Sequence, residues 1–432
     1  MGDLVPIGNL FNLEKGRLQS TKCTPGEYDF ITAAEDWKTH HKYAHECEAL
    51  IIAVAASGSL GRTHYVDGKF ISSDLCFILT PKNEEKYPLS LAFYHFVFNS
   101  LRSVLVAATK SGTSKESINQ TNFKKYALPY FDIEQQNLWI KKLKSTLVEK
   151  DLLGSELTHQ QNLLKKLRQQ ILQEAIEGKL TEDWRKQNPN VEPASELLKR
   201  IQDEKQQLIQ DKKIKKQKPL PAISEDEKPF ALPDGWAWCR LGETTNIVRG
   251  GSPRPAGDIR FYKGNIPFLK VADLTATRKM YLDKHTYTIK KAGLHKTRLV
   301  PENTLMLTNS GATLGIPKIC RFKTTFNDGI AAFIYMNEEL YKPYFYQMLS
   351  SKTQWFLEEA SRGQGQPNLN TDIIGETIIP LPPLAEQKAI VTKVEKLLTL
   401  CDQLQTQISQ NQHHADQLMQ AVLKEAFNGI EN

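Results

Sequence analysis

Long apolar runs are missing from this chain of 432 residues. The longest, Leu50–Ala56, falls far short of the ~20 residues that a membrane-spanning helix needs. At the start, Asp3, Glu14, Lys15 and Arg17 interrupt any apolar leader, which argues against a secretory signal. Paired cysteines are missing too. Cys23, Cys47, Cys76, Cys239, Cys320 and Cys401 contain no Cys-x-x-Cys pair, so they are expected to be free thiols in a reducing cytoplasm. A disulfide framework and a paired-cysteine zinc site are both excluded by that spacing.

Catalytic signatures are equally scarce. There is no Gly-x-x-x-x-Gly-Lys-[Ser/Thr] loop to cradle phosphates and no His-Glu-x-x-His pair. The cluster His40, His41, His45 and Cys47 is expected to be a polar surface loop, not a metal site, so no metal is predicted. An adenine methyltransferase needs an Asn/Asp-Pro-Pro-aromatic turn; Asn188-Pro189-Asn190 and Leu381-Pro382-Pro383-Leu384 come nearest and lack it. Asp372 with Glu386-Gln387-Lys388 mimics a nuclease signature, but the positions equivalent to Glu386 and its neighbours in an internal repeat are Gln135, Gln136 and Asn137. Glu386 is better read as an acid placed at the positive end of a helix. No catalytic residue is predicted.

What is present is a duplication. Ser117–Pro129 aligns with Asn368–Pro380 at an offset of 251, which also relates Gln136 to Gln387, Ile171–Ala175 to Val422–Ala426 and Gly178 to Gly429. Upstream, Gly61–Leu79 matches Gly315–Phe333 at an offset of 254, implying a loop insertion. A period this long means a duplicated module, not a solenoid.

Each copy opens with a mixed part. Ala49–Ala55, Leu75–Leu79, Thr304–Leu307 and Ala331–Tyr335 predict strands, and Leu89–Val106 and Leu340–Ala360 predict helices. Each copy closes with a long helix, Gln135–Glu177 or Glu386–Asn428, approached by prolines and ended by Gly178 or Gly429. A heptad runs through both helices. Its apolar positions are Leu143, Leu153, Leu157, Leu164, Leu167 and Ile171 in the first, and Val394, Leu397, Leu404, Ile408, Leu418 and Val422 in the second. The matched polar positions Gln160 and Asn411 suggest that the helices pair with each other.

Between the copies, Lys199–Lys218 holds eight basic and three acidic residues, followed by prolines at 219, 221, 229 and 233. This stretch predicts a solvated linker helix and an extended tether. With a net charge of +7, the chain is compatible with a polyanionic partner.

Polar, glycine-rich loops with embedded bases recur in both copies. Copy one offers Lys15 and Arg17, Ser59 and Arg62, and Lys110, Ser114 and Lys115. Copy two offers Arg249, Ser252 and Arg254, then Asn309, Ser310 and Thr313, then Arg362, Gln364 and Gln366. Glycine lets backbone approach a ligand closely, while these side chains donate to phosphates and base edges. They are the candidate DNA-binding residues.

Taken together, these motifs resemble the specificity subunit of type I restriction–modification enzymes. The resemblance rests on Leu232-Pro233-Asp234-Gly235-Trp236 with Arg240-Leu241-Gly242, Gly250–Pro253, Gln366–Asn370, and Ile379–Gln387 entering the second long helix. Gly178–Thr181, Asp183-Trp184-Arg185 and Glu192–Leu198 add to it. Copy one departs in lacking the Leu-Pro-x-Gly-Trp opening and in having Phe131-Asp132-Ile133 where copy two has Pro382-Pro383-Leu384.

The resemblance implies an α+β chain with a pseudo-twofold repeat. Two mixed α/β target recognition domains (residues 1–134 and 232–385) are joined by two long helices (135–180 and 386–432) in an antiparallel coiled coil, with a charged linker and tether at 181–231. It implies a non-catalytic subunit that reads a bipartite, asymmetric site on double-stranded DNA. Two methyltransferase subunits and the restriction/translocase subunits are the expected partners, with no membrane. S-adenosylmethionine, ATP and magnesium serve those partners; this chain is expected to bind no cofactor. A nuclease or methyltransferase fused to recognition domains, and a coiled-coil adaptor without DNA, are the alternatives.

Overall fold

The computed structural model describes residues 3–55, 58–112, 116–214, 218–361 and 368–427. It divides into two compact units, Met1–His159 with Ile408–Asn432, and Gln160–Gln407. No single helix among the described residues is long and apolar enough to cross a membrane.

In unit 1 a six-stranded sheet runs in the order Phe11–Lys15, Cys76–Pro81, His45–Ala53, Thr63–Ser72, Tyr28–Ile31, Lys38–His40. The apolar run Ala49–Ala53 is fully buried because this central strand is covered on both faces. Leu50 and Ile52 face a core with Phe11, Tyr94, Phe98 and Phe123, while Ala49, Ile51 and Ala53 face a second core with Ile31, Val66 and Phe70. Unit 2 has two larger sheets beside the two-stranded pair Ala237–Arg240 with Ile378–Leu381. One is ordered Asn246–Arg249, Ile330–Ile334, Thr304–Thr308, Pro317–Cys320, Tyr281–Leu282; the other Tyr287–Ile289, Tyr262–Leu269, Thr324–Phe326, Arg298–Val300.

The duplication is visible at the level of strand register. Leu50 opposes Leu79 and Ala53 opposes Cys76; in copy two Leu305 opposes Phe333 and Thr308 opposes Ile330. A base is buried at one matched position. His64 pairs with Ile51, and Lys318 pairs with Met306. Burial lowers both pKa values, that of Lys318 to about 8. The Nε1–H of Trp37 donates to Nδ1 of His64 at 3.2 Å, and Nζ of Lys318 donates to the Lys279 carbonyl at 2.7 Å.

The predicted mid-domain helices are each two helices. Leu91–Ser100 and Arg102–Thr109 meet at 73°, and Lys342–Ser351 is followed by Thr353–Ser361. In copy one the break lies at Leu101, whose φ of −88° and ψ of 5° leave the helical well. An unbroken apolar pattern hides such a bend, because both segments bury a face.

The long helices span Ile133–Ile176 and Leu384–Phe427, within two residues of expectation. A glutamine at the head of each is locked to its own domain. Gln136 is fully buried; its Oε1 accepts from Ser90 N at 2.7 Å and its Nε2 donates to the carbonyls of Pro88 and Phe131. Gln387 repeats this, accepting from Tyr341 N at 3.0 Å and donating to the Pro382 carbonyl at 2.9 Å. Buried tyrosines add a matched bond. Tyr94 Oη donates to the Pro129 carbonyl and Tyr344 Oη to the Pro380 carbonyl.

Within unit 1 the helices run antiparallel: Leu143 shares a core with Val422, and Lys150 meets Asp416 at 2.9 Å. Within unit 2, Arg168 meets Asp402 at 2.6 Å. The heptad is only half buried. Leu143, Leu157, Leu164, Ile171, Val394, Ile408 and Val422 are buried, with Cys401 in the same row, and Leu397 is half-buried. The other predicted row is open: Leu153 is 41% exposed, Leu167 45%, Leu404 52% and Leu418 59%. Pairing buries the first row in both helices and leaves most of the second open. Gln160 is exposed and Asn411 half-buried, short of the burial expected of them.

The linker is not a free tether. Helix Ala194–Gln210 buries Ala194, Leu197 and Ile201, and Lys205 donates to the carbonyls of Gly242 and Thr245. Arg240 is buried and holds the proline-rich stretch by donating to the carbonyls of Pro221 and Ala222 and pairing with Glu227. Charge density predicted solvation here; specific carbonyl acceptors reverse it.

Candidate nucleic-acid interface

The first basic loop of each copy leaves the sheet from the same ladder position. Lys15 opposes Phe77 and Arg249 opposes Ala331. Glycine follows each because the chain passes against a neighbouring turn. A Cβ on Gly16 would lie 2.1 Å from the Ser73 carbonyl oxygen, and one on Gly250 would lie 2.2 Å from that of Asn327. Lys15, Arg17, Arg249 and Arg254 are all exposed. Arg17 pairs with Glu14 at 3.2 Å.

In unit 2 this loop is stapled to the turn Asn327-Asp328-Gly329. Gly250 N donates to the Ile330 carbonyl and Gly251 N to the Phe326 carbonyl, both at 3.1 Å. Arg249 Nε donates to the Asp328 carbonyl at 2.6 Å, and Ser252 Oγ to the Asp328 carboxylate at 2.8 Å. Arg298 Nε donates to the Arg249 carbonyl at 2.8 Å, adding a third arginine. Burial works against ionising Asp328, but Ser252 and the arginines at 254 and 249 hold its pKa below the ordinary value. Asp328, Asn327 and Arg298 had no motif to mark them; the carboxylate is recognisable only once the loops are folded together.

The second set is mixed. Ser310 is half-buried and bridges Asn368, while Thr313 is exposed. Asn309 is fully buried, with both side-chain polar atoms unpartnered, so it is not the exposed DNA contact expected of it. The register of Thr304–Thr308 carries its backbone into the sheet, where its N–H donates to the Gly329 carbonyl at 2.9 Å. In copy one, Arg62 is turned inward to the Ala33 carbonyl and Ser59 Oγ and lies 3.6 Å from Glu35, so it braces the loop it was expected to extend. Lys110 is exposed and pairs with Glu116 at 2.7 Å. Ser114, Lys115, Arg362, Gln364 and Gln366 lie outside the described residues.

Two further expectations change. His40 is buried, and its Nδ1 accepts from Thr24 N, while His45 stacks on Phe70; His41 alone of the three histidines lies on the exposed connection, so the cluster is only partly the surface loop expected. Among the described residues, no group of three His, Cys, Asp or Glu side chains could hold a metal. Glu386 is 1% exposed and does not sit open at a helix end. Its carboxylate takes Thr181 Oγ1 and Arg185 Nη1 on one oxygen and Trp236 Nε1 on the other. That clamp occupies the one acid of the nuclease-like signature that stands beside a lysine at the helix start.

A family model for the type I restriction modification DNA specificity domain matches residues 3–153 and 233–411, one match in each copy. The chain belongs to this family. Among curated relatives, it is 35% identical over 272 residues to the EcoEI specificity subunit of Escherichia coli, covering 60% of this chain and 45% of that protein. It is 24% identical to the EcoDI specificity subunit of Escherichia coli, covering 98% and 87%. The chain thus aligns with under half the length of the EcoEI subunit. Among solved structures, the HsdS subunit from Thermoanaerobacter tengcongensis superposes with a TM-score of 0.58 at 16% identity, covering 99% and 97%. A chain from a study of complex assembly and conformational transition of the type I R-M system gives 0.61 at 17% identity, covering 99% and 98%. These likenesses establish the shared fold of two specificity domains and two long helices.

Proposed function

We propose that this chain is the non-catalytic DNA-recognition subunit of a type I restriction–modification complex, each domain reading one half of a bipartite, asymmetric target. The observation that carries this reading is the repeated basic loop. Lys15-Gly16-Arg17 and Arg249–Arg254 leave equivalent sheet positions, pressed on equivalent turns, with exposed cations. Arginine and lysine on glycine-bearing loops suit phosphates and base edges.

The partners are double-stranded DNA, two methyltransferase subunits and the restriction/translocase subunits. S-adenosylmethionine, ATP and magnesium belong to those partners, and the complex works in the cytoplasm. The uncovered leucine rows support protein partners along the helices. Unit 1 exposes Leu138, Leu152, Leu153 and Leu418, and unit 2 exposes Leu163, Leu167, Leu400 and Leu404. One such apolar stripe on each unit suits one methyltransferase subunit apiece. The paired helices set the gap between the half-sites.

The test is an exchange of Ala237–Leu381 for the corresponding segment of a relative, cut within the strand pair that closes the domain. Methylome sequencing of cells carrying the complete system should show one half of the target replaced and the other unchanged. A target unchanged in both halves would refute the reading.

A further inference from the structure

A carboxylate at the centre of a DNA-reading surface is electrostatically out of place, since it repels the phosphate backbone that supplies most of the non-specific attraction. Yet Asp328 lies within the influence of Arg254 and Arg249, is half-buried, and accepts from Ser252. Its turn also anchors the whole basic loop through the bonds to Gly250, Gly251 and Arg249. The duplication supplies a second instance. At the offset of 254, Asp74 occupies the matching turn, Ser73 Oγ donates to it at 3.3 Å, and Gly16 N donates to the Cys76 carbonyl at 3.0 Å. Two copies that have diverged in most loop residues both keep an acid where their cationic loops rest.

We propose that Asp328 is a specificity-determining positioning residue: its carboxylate fixes the adjoining basic loop in one geometry and weakens its attraction to unmatched DNA. The inference rests on the DNA-reading function proposed above. It has two consequences of opposite sign. The negative charge lowers affinity for any duplex, and the fixed loop raises affinity for the matched one alone, because a bidentate contact depends on how the guanidinium is presented.

The test uses the methyltransferase complex assembled on the full chain. Binding is measured to a duplex carrying the target found by methylome sequencing, and to duplexes with either half-site scrambled. D328N keeps an oxygen acceptor for Ser252 and removes the charge. It should weaken matched binding about tenfold, in the range of one base contact, and tighten binding to the duplex whose second-domain half-site is scrambled by about threefold. S252A leaves the charge in place and should weaken matched binding several-fold without strengthening the scrambled complex.

If D328N raises both affinities together, Asp328 is a simple repulsive charge and the inference is wrong; unchanged affinities overturn it equally. Should D328N fail to fold, S252A decides alone, and equal loss on matched and scrambled duplexes would overturn the idea. A wild-type complex that holds matched and scrambled duplexes alike defeats the DNA-reading function, and this inference falls with it.

Discussion

The two copies of the module agree where they meet their long helices and differ where their loops face outward. At the helix heads, Gln136 and Gln387 make the same carbonyl and amide bonds, and Tyr94 and Tyr344 the same carbonyl bond. Elsewhere the likeness fades. Unit 1 gathers six strands into its largest sheet, whereas unit 2 divides its strands between a five-stranded and a four-stranded sheet, and Glu386 is clamped where Gln135 is exposed. The contrast teaches that the duplication preserves a fixed attachment while leaving the attached surface free to diverge. A module that must seat on an unchanging scaffold and recognise a changing partner is expected to look like this.

The comparison can be broken most forcefully at Glu386. E386A strands Arg185 and Trp236 in a buried setting and should cost about 3–5 kcal/mol, whereas Q135A at an exposed position should cost under about 0.5 kcal/mol. Urea unfolding, with hydrogen exchange to localise the loss to residues 160–407, would check the asymmetry. Equal small effects would mean the clamp is dispensable.

A smaller and symmetric effect is expected at the glutamine locks. Q136A and Q387A each leave a buried amide N–H and carbonyls unpaired, at about 2–3 kcal/mol apiece. Calorimetry showing a loss in only one of the two would disprove the matched attachment.

The smallest effect concerns the buried bases. A base with a lowered pKa prefers to be neutral when folded, so protons favour the unfolded chain. For Lys318, stability falls as pH drops from the ordinary 10.5 to about 8 and is level below that. K318M should therefore stabilise unit 2 by about 1–2 kcal/mol below pH 8, part of the ~1.4 kcal/mol per pKa unit being offset by the lost carbonyl bond. The gain should vanish above pH 10.5. His64, at the matched position, makes unit 1 lose stability only as pH falls below its ordinary 6.5. Melting curves across pH 5–11 would separate the two windows; a single shared window would show that the buried bases do not govern them.

Much of this was legible in the residues. Periodicity located the strands around Ala49–Ala53, Thr304–Thr308 and Ile330–Ile334, and the 251-residue offset tied Gln136 to Gln387 before any contact was known. Exposure of Lys15, Arg17, Arg249 and Arg254 also followed from their glycine-flanked setting. What stayed hidden depends on partners distant in sequence. The burial of Asn309, the inward turn of Arg62, the docking of Lys205 on Gly242 and the Glu386 clamp are decided by carbonyls and side chains that no local pattern names. The heptad misled in a different way. It marked apolar residues correctly but could not say that this chain covers only one of the two rows.

One consequence concerns synthesis. The first domain's core includes Val422 alongside Leu143, so its last wall is supplied by a segment made long after the rest. On a ribosome adding ~5–20 residues per second, residues 160–407 can fold while the earlier domain still waits with its apolar flank uncovered. Chains interrupted before residue 408 would carry a finished second unit and an unfinished first one. Such a chain lacks Val422 from the first core, and incompletely folded chains are what chaperones and proteases triage.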